Sequence, residues 1–347
     1  MEKPFFPLDR ILRLRRDQWS EGAARVATEQ GLQASSFVRA ARAYSHAIGE
    51  VISKDSVRRI TEGFGGQVHA LRETEVEKAY TVEAGQRPGQ KHIEEIQPVE
   101  GRGNISTDGT TILLRGEGRK EVKLAVISTC EVEPAKQRKG DTTRRGEDPW
   151  VKLKVHSCQA GVWDADTMAR YQYAEGLRRG LERCPKLSSV NDAAAWIGRI
   201  TEENFPHAEQ IVDWSHAAGW VWKVAHDLYE EGSPQAKRWA EGKLDKLWRG
   251  KVRDVAQAIG HLDVDEDVVR QAQGYFTSHA DRMRYATYRA AGYPIGSGTV
   301  ESGGKNYVQH RMKRPGPGWC RDSAQSMLAV LSELHSGRFD LVWEQCA

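Results

Sequence analysis

Apolar residues recur at helical spacing in the first eighty positions and at strand spacing in the middle of the chain. The stretches WSEGAARVATEQ and SSFVRAARAYSHAIG are amphipathic with a period near 3.6, which predicts helices. Further along, NISTDGTTILL, EVKLAVIST and WVKLKVHS are rich in β-branched residues and are separated by turn residues. These three runs predict consecutive strands that form an antiparallel meander.

After the third strand the pattern alternates between helix and strand. DADTMARYQYAEGLRRGLERC and AAAWIGRITEEN predict helices, whereas KLSSVND and AEQIVDWSHA predict strands. The resulting order is β-β-β-α-β-α-β. It predicts an α/β fold of the RNase H-like kind, a mixed sheet with helices on both faces.

A long, almost wholly helical region follows at residues 217–292, and its apolar positions include several tryptophans. It predicts an α-helical insertion ahead of a glycine-rich loop and the last helices. We expect one RNase H-like domain over residues 103–347 that contains this insertion. Residues 1–84 are expected to form an all-α N-terminal domain, and the Gly- and Pro-rich residues 85–102 a linker.

Residues 43–59 within the N-terminal region predict a helix, a break at Gly49 and a second helix capped by Ser53 or Asp55. A helix-turn-helix has this pattern, and so does an ordinary α-hairpin. In the first case the second helix would present basic residues to DNA. Those residues are Lys54, Arg58 and Arg59.

The overall charge does not identify a nucleic-acid-binding protein, because 51 basic residues oppose 48 acidic ones and the net charge is +3. No run of about 18 apolar residues predicts a membrane span. The start, MEKPFFPLDRILRLRR, lacks the apolar core of a signal peptide, so a cytoplasmic location is expected. The five cysteines show no CxxC spacing, which argues against a zinc ribbon.

Three acidic residues occupy positions that this strand order would bring together. Asp108 lies in the first predicted strand, Asp192 at the end of the fourth, and Glu301 on a late helix. Clustered carboxylates repel one another unless cations neutralise them, and carboxylate oxygens suit Mg²⁺ or Mn²⁺. Two such ions about 3.5 to 4 Å apart support in-line phosphoryl displacement.

Each of these residues also has an ordinary structural interpretation. Asp108 and the glycine after it form a common turn dipeptide. Asp192 could cap a helix that begins at Ala193, and Glu301 could be a first-turn acid paired with Lys305. Their order on the predicted topology is what favours a shared metal site.

Three stretches resemble the DDE transposases of bacterial insertion sequences, most closely the Kra family, which is related to the mutator-type enzymes. They are ISTDGTTI, VNDAAAWIGRITEENFPHAEQIVDWSHA and YPIGSGTVESGGKNYVQHRMKR, and the resemblance covers roughly residues 104–334. It implies that Asp108, Asp192 and Glu301 are the catalytic metal ligands. The chain departs from the family pattern at Ala193, where the family usually has glycine.

The same resemblance implies a role for a second pair of residues. Such enzymes have a Cys or Asp separated by two residues from a His, which corresponds here to Asp213 and His216. A supporting or DNA-positioning role is implied for both. Asp213 is also the alternative to Asp192 as the second catalytic aspartate, and a helix-capping role for Asp213 is open as well.

Basic residues follow Glu301 and are expected to contact DNA phosphates, although a solvated helix end would have the same composition. They are Lys305, His310, Arg311, Lys313 and Arg314. Gly303 and Gly304, inside the same helix, suggest a close backbone approach to the sheet or to DNA. Trp319 is expected to fill the core.

The function implied is that of a DNA transposase. It would bind the terminal inverted repeats of an insertion sequence and catalyse metal-dependent strand cleavage and strand transfer into target DNA. Two ends must be cut, so at least a dimer is expected, acting on nucleoid DNA. The alternatives are an RNase H-like nuclease without joining activity and a DNA-binding protein derived from a transposase.

Overall fold

The computed structural model describes residues 19–81, 93–134, 149–262, 265–314, 316 and 318–346. Its N-terminal helices are α1 (Glu21–Gln33), α2 (Phe37–Ile48) and α3 (Lys54–Ala79). A serine side chain caps the start of each, and α3 is capped by Ser53. Helix α2 ends at Gly49, whose φ of 82° is left-handed. The predicted helix, glycine break and second helix are confirmed.

The sheet has five strands in the order β3-β2-β1-β4-β5. Strands β1 to β3 are antiparallel neighbours, whereas β4 and β5 run parallel to β1. The strands are β1 (Arg102–Leu114), β2 (Gly118–Glu133), β3 (Trp150–Gly161), β4 (Lys186–Asn191) and β5 (Glu209–Val212). The predicted meander and the later strands are confirmed, but β5 is shorter than predicted because Asp213 already caps the next helix.

Helices precede and follow the two parallel strands, and a helical region follows β5 as predicted. They are α4 (Ala165–Arg178), α5 (Ala195–Asn204), α6 (Trp214–Leu228), α7 (Pro234–Trp248), α8 (Val252–Gly260), α9 (Glu266–Ser278) and α10 (Tyr285–Ala290). Helices α6 to α10 share a hydrophobic cluster that also includes β4 and β5. The insertion therefore packs on the β5 side of the sheet.

The C-terminal part returns to the sheet. It consists of α11 (Gly298–Gly303), a π-helical segment (Gly304–Gln309), α12 (His310–Met312), α13 (Arg321–His335) and α14 (Phe339–Cys346). Side chains of β2 alternate between two cores: Leu124 and Val126 join the cluster of α3 and α13, whereas Ile127 joins that of α4. Helices thus cover both faces of the sheet, as expected for an α/β fold.

The N-terminal helices share the core of the rest of the chain. Helix α3 packs along α13, and a Cβ added to Gly65 would lie 2.4 Å from the Ser326 carbonyl oxygen. One hydrophobic cluster joins Phe64 of α3 with Leu124 of β2 and Trp343 of α14. Residues 85–92 of the predicted linker lie outside the described residues, and residues 93–101 form no helix or strand. None of the described helices is both long enough and apolar enough to cross a membrane.

Candidate active site

The carboxyl ends of the parallel strands β4 and β5 lie together, next to the middle of β1. The last paired residues of β1 and β4 are Ile105 and Ser189, and Asp108 and Asp192 each lie three positions further on. Asn191 in turn pairs with the last residue of β5, so the next residue, Asp213, is level with Asp192. This is the edge at which α/β sheets commonly bind ligands.

Asn191 holds β1 and β4 together where their regular pairing has ended. Its side-chain Oδ1 accepts a hydrogen bond from the Thr107 backbone N–H, and its backbone carbonyl accepts one from Asp213 N–H at 2.7 Å. The residue is buried. Sequence analysis did not identify it, although a polar residue inside an apolar strand was a usable signal.

Asp108 is a half-buried residue within β1, opposite Leu124 of β2, so its Asp-Gly pair does not form a turn. Its Oδ1 accepts the Gly109 N–H at 2.7 Å. Burial raises the pKa of Asp108, and the charges of Asp192 and Glu301 raise it further against the opposing effect of Gly109 and His216. The structure thus places the three predicted carboxylates within electrostatic range of one another.

Asp192 follows β4 directly and is half-buried. Its Oδ1 accepts the Ala194 N–H at 3.0 Å. Helix α5 starts at Ala195, and its N-cap is Ala194, which makes no side-chain capping bond. Asp192 therefore does not cap a helix that begins at Ala193. Its carboxylate instead accepts a hydrogen bond within the turn that precedes α5.

Glu301 reaches the same edge because the loop and helix that carry it are tied to the sheet on two sides. The Ser297 N–H donates to Asp213 Oδ2 at 2.5 Å. Beyond Glu301, Gln309 Nε2 donates to Thr110 Oγ1 of β1 at 2.8 Å. A Cβ on Gly303 would lie 3.4 Å from Leu124, so α11 crosses β2 closely. Gly303 thus lies in ordinary contact with the sheet, whereas a Cβ on Gly304 would meet nothing within 4 Å, so neither position requires glycine for a close approach to the sheet.

Asp213 is fully buried and already has four hydrogen-bond donors. Its Oδ1 accepts from the Ser215 hydroxyl, from the His216 N–H at 2.9 Å and from His216 Nδ1 at 3.2 Å, and its Oδ2 from Ser297 N–H. Burial acts against these bonds, but they hold the pKa of Asp213 well below its usual range. Asp213 is thus the N-cap of α6 and fixes the His216 imidazole.

The imidazole of His216 is half-exposed and faces the carboxylates. The hydrogen bond to Asp213 raises the pKa of His216, burial opposes this, and Asp192 and Glu301 raise it further. Ligand atoms of Asp213, His216 and Glu301 lie within 4.8 Å of one another. This is a tighter group than the one predicted from sequence.

The acidic side chains at this edge fit a divalent cation. Within the described residues, none of Asp108, Asp192 and Glu301 forms an ion pair with Lys or Arg. Asp108 and Asp192 each use one oxygen in a local hydrogen bond and keep the other available. Uncompensated carboxylates of this kind are the ligands that hard cations prefer.

Most of the basic residues predicted to contact DNA are exposed. Those beyond Glu301 are Lys305, His310, Lys313 and Arg314, and those at the start of α3 are Lys54, Arg58 and Arg59. Arg311 corrects the prediction: it is buried, its Nε donates to the Gly31 carbonyl at 2.7 Å, and its guanidinium lies 4.2 Å from the Phe37 ring centroid. Trp319 packs against the core as expected.

Comparison with known proteins adds one limited similarity. No family model matches the chain. The chain is 24% identical over 115 residues to a "UPF0236 protein in vanSb 3'region" of Streptococcus gallolyticus. The matched stretch covers 33% of this chain and 25% of that protein's length, and the name states no activity.

Replacing Asp213 by Asn tests its link to His216. We expect the pKa of His216 to fall toward its ordinary value, because the charged acceptor at Nδ1 is lost. The fold should lose about 1 to 3 kcal/mol, because the single oxygen of an amide cannot accept both the His216 N–H and the Ser297 N–H. NMR titration of His216 and urea unfolding, both without metal, measure these changes. An unchanged His216 pKa would contradict the assignment.

The pH dependence of the folding stability that Asp213 and His216 contribute has a defined sign. The lowered pKa of Asp213 contributes stability that is lost as the pH falls below about 4, and the raised pKa of His216 contributes stability that is lost as the pH rises through its folded-state value. The stability difference from Asp213→Asn should therefore be largest between about pH 4 and 6.5. Ser215→Ala, which keeps the carboxylate, is the matched control.

Proposed function

We propose that this chain is a DDE-type DNA transposase with an RNase H-like catalytic domain. It binds the terminal inverted repeats of an insertion sequence, cleaves DNA at the element's ends and transfers the resulting strands to target DNA. The observation that carries this proposal is that Asp192, which follows β4, and Glu301 both lie within electrostatic range of Asp108 in the neighbouring strand β1. The strand order β3-β2-β1-β4-β5, with an insertion before the Glu301 helix, supports the RNase H-like assignment.

Asp192 is the better candidate for the second metal ligand, and Asp213 for a positioning residue. Asp192 is half-exposed and keeps one oxygen available, whereas Asp213 is buried with four donors on its oxygens. A carboxylate offers about four lone-pair sites, two on each oxygen, so the Oδ1 of Asp213 is saturated and its Oδ2 is partly used. Its contribution is to hold His216 toward Glu301.

Asp108, Asp192 and Glu301 would together hold two divalent ions, either Mg²⁺ or Mn²⁺. When bound, these ions supply activation of an attacking oxygen and stabilisation of the leaving oxygen in phosphoryl transfer. The protein residues contribute rigid placement: Asn191 fixes the spacing of β1 and β4, and Gln309 anchors the Glu301 segment on β1.

DNA binding is assigned to two exposed basic surfaces. One follows Glu301 along the chain and contains Lys305, His310, Lys313 and Arg314, which we assign to phosphates beside the cleavage site. The other is the start of α3, with Lys54, Arg58 and Arg59. Because an element has two ends, the active form is proposed to be at least a dimer, a cytoplasmic protein associated with the nucleoid.

The proposal is tested by incubating the protein with a supercoiled plasmid that carries the gene and its flanking DNA. With Mg²⁺ we expect cleavage at the element's ends and strand-transfer products, and with EDTA neither. Cleavage without joined products would favour a nuclease instead. Specific DNA binding without cleavage in either Mg²⁺ or Mn²⁺ would favour a DNA-binding protein and overturn the enzymatic assignment.

A further inference from the structure

The turn between β1 and β2 projects past the neighbouring strands of the sheet. Pairing between β1 and β4 ends at Ile105, and pairing between β2 and β3 begins only at Lys123, whereas β1 stays paired with β2 as far as Leu114. Leu114 lies six positions after Asp108, which is roughly 20 Å along an extended strand. The β1–β2 turn is therefore a projection that starts beside the candidate active site and leads away from it.

The β1–β2 turn carries an uncompensated positive charge. Its basic residues are Arg115, Arg119 and Lys120. The two arginines are exposed and the lysine is half-buried, and none of the three forms an ion pair within the described parts of the chain. Both acidic residues of the turn have other partners: Glu117 lies 2.5 Å from Arg321, and Glu121 lies 2.5 Å from Lys123. Sequence analysis did not single out these three cations.

Hydrogen bonds join the β1–β2 turn to the end of α12. The Trp319 N–H donates to the Leu113 carbonyl at 2.9 Å, and the Arg115 N–H donates to the Trp319 carbonyl at 2.8 Å. The indole Nε1 of Trp319 donates to the Met312 carbonyl at 3.0 Å. Trp319 thus connects the turn to Met312, which directly precedes two exposed basic residues. Those residues are Lys313 and Arg314.

The contact between the two segments is close and involves backbone atoms. A Cβ added to Gly318 would lie 2.5 Å from the Leu113 carbonyl oxygen, and a backbone carbonyl within a paired strand cannot move aside as a flexible side chain can. The cations of the turn and those after α12 are therefore held on one surface. We call this the joint basic surface; it consists of Arg115, Arg119, Lys120, Lys313 and Arg314.

We propose that the joint basic surface binds the phosphate backbone of one DNA duplex on one side of the scissile phosphate, about six base pairs from it. This inference rests on the proposed function, because it takes Asp108 as the place of cleavage. The roughly 20 Å from Asp108 to the end of β1 equals about six base pairs at 3.4 Å each. Contacts to phosphates carry no base sequence, so this surface positions the duplex without selecting its sequence.

The test replaces Arg115, Arg119 and Lys120 together by Gln and measures binding of a duplex that spans one end of the element, in EDTA and at several salt concentrations. Each phosphate contact contributes about 0.9 to the slope of log K against log[salt], so the slope should fall by about 2.7. Ethylation of phosphates about six base pairs from the mapped cleavage site should weaken binding by the wild type but not by the variant. Tm should not change, because the turn makes its hydrogen bonds through the backbone.

Three exposed cations of the helical insertion give a control with the same change in net charge. They are Lys237, Arg238 and Lys251. Their joint replacement by Gln should change the slope by less than about 1, because they are not proposed to contact phosphates. Equal changes in the two triple variants would overturn the joint basic surface, as would an unchanged slope in the turn variant. A wild-type protein that binds no DNA at any salt concentration instead refutes the DNA-based function itself.

Gly318→Ala provides a second variant that removes no charge. Its methyl group would push the segment at Trp319 away from Leu113, so the two groups of cations could no longer follow one duplex, and the slope should fall by about 1 or more. Gly242→Ala in α7 is the matched control, since a Cβ there would meet nothing within 4 Å, and its slope should equal that of the wild type. Equal slopes in the two glycine variants would overturn a single surface.

Discussion

Replacing Asp108 by Asn is expected to reduce metal-dependent DNA cleavage roughly a thousandfold and to leave the metal-free fold at least as stable as the wild type. A bound metal contributes several kcal/mol of transition-state stabilisation, and each 1.4 kcal/mol or so is a factor of ten in rate. Stability should not fall, because burial, Asp192 and Glu301 all disfavour the Asp108 charge, and Asn can still accept the Gly109 N–H.

The pH dependence of this stability difference follows from the raised pKa of Asp108. Below about pH 4 Asp108 is protonated in the folded and unfolded states, and its charge costs no stability. As the pH rises through the folded-state pKa, the charged carboxylate destabilises the wild type. The Asn variant should therefore be more stable than the wild type at neutral pH and equally stable in acid. Thermal unfolding at several pH values measures this. Glu301→Gln should show the same loss of cleavage.

Asp166→Asn is the control for the cleavage measurement. Asp166 is an exposed carboxylate on α4 whose partner is Arg199 at 2.6 Å, so its loss should change neither cleavage nor stability by much. Cleavage that survives Asp108→Asn would show that the carboxylate group at the strand ends is not the catalytic centre. If Asp213→Asn abolishes cleavage and Asp192→Asn does not, Asp213 is the second metal ligand and Asp192 the positioning residue.

Replacing Arg338 by Met is expected to cost about 3 to 5 kcal/mol of unfolding free energy, because it leaves the buried carboxylates of Glu175 and Glu333 with one positive charge fewer. Arg338 NH1 lies 2.7 Å from Glu175 Oε1, and its Nε lies 2.9 Å from Glu333 Oε2. Both glutamates are almost fully buried. Burial alone would raise the pKa of Glu175, but Arg338 and Arg178 hold it well below its usual range.

Urea unfolding measures the cost, and its pH dependence identifies the cause. The lowered pKa of Glu175 contributes stability that is lost as the pH falls below about 4.3, so the deficit of Arg338→Met should shrink in acid. The exposed pair of Arg321 and Glu117, at 2.5 Å, gives the control Arg321→Met, with an expected cost below about 1 kcal/mol. Equal costs in the two variants would contradict a buried network.

This network also links the N-terminal helices to the candidate catalytic body. Arg72 of α3 pairs with Glu333 of α13, and Arg178 of α4 lies 2.6 Å from Glu75 of α3. Helix α3 begins with the basic residues proposed to bind DNA. The buried charges therefore fix the orientation of that surface relative to the sheet, because an ion pair without water tolerates little displacement.

Local spacing along the chain was enough to predict most of the elements. The strand periodicity of β1 to β3, the helix after them and the helical character of residues 217–292 are all present in the structure. Each is encoded by the alternation of apolar positions within one segment, so no distant contact is needed to recognise it. The positions of Asp108 within the first strand and of Asp192 directly after the fourth follow from the same pattern.

Contacts between distant segments decided the rest. Arg311 looks like a surface cation in sequence but is enclosed by Gly31 and Phe37, and the N-terminal helices join the common core. Asp213 and Asp192 have equivalent positions after their strands, but Asp213 caps α6 and also accepts a hydrogen bond from Ser297, which comes from beyond the insertion. The reason is physical: local periodicity sets which face of an element is apolar, whereas the partner that covers or completes a polar group comes from whichever segment packs there.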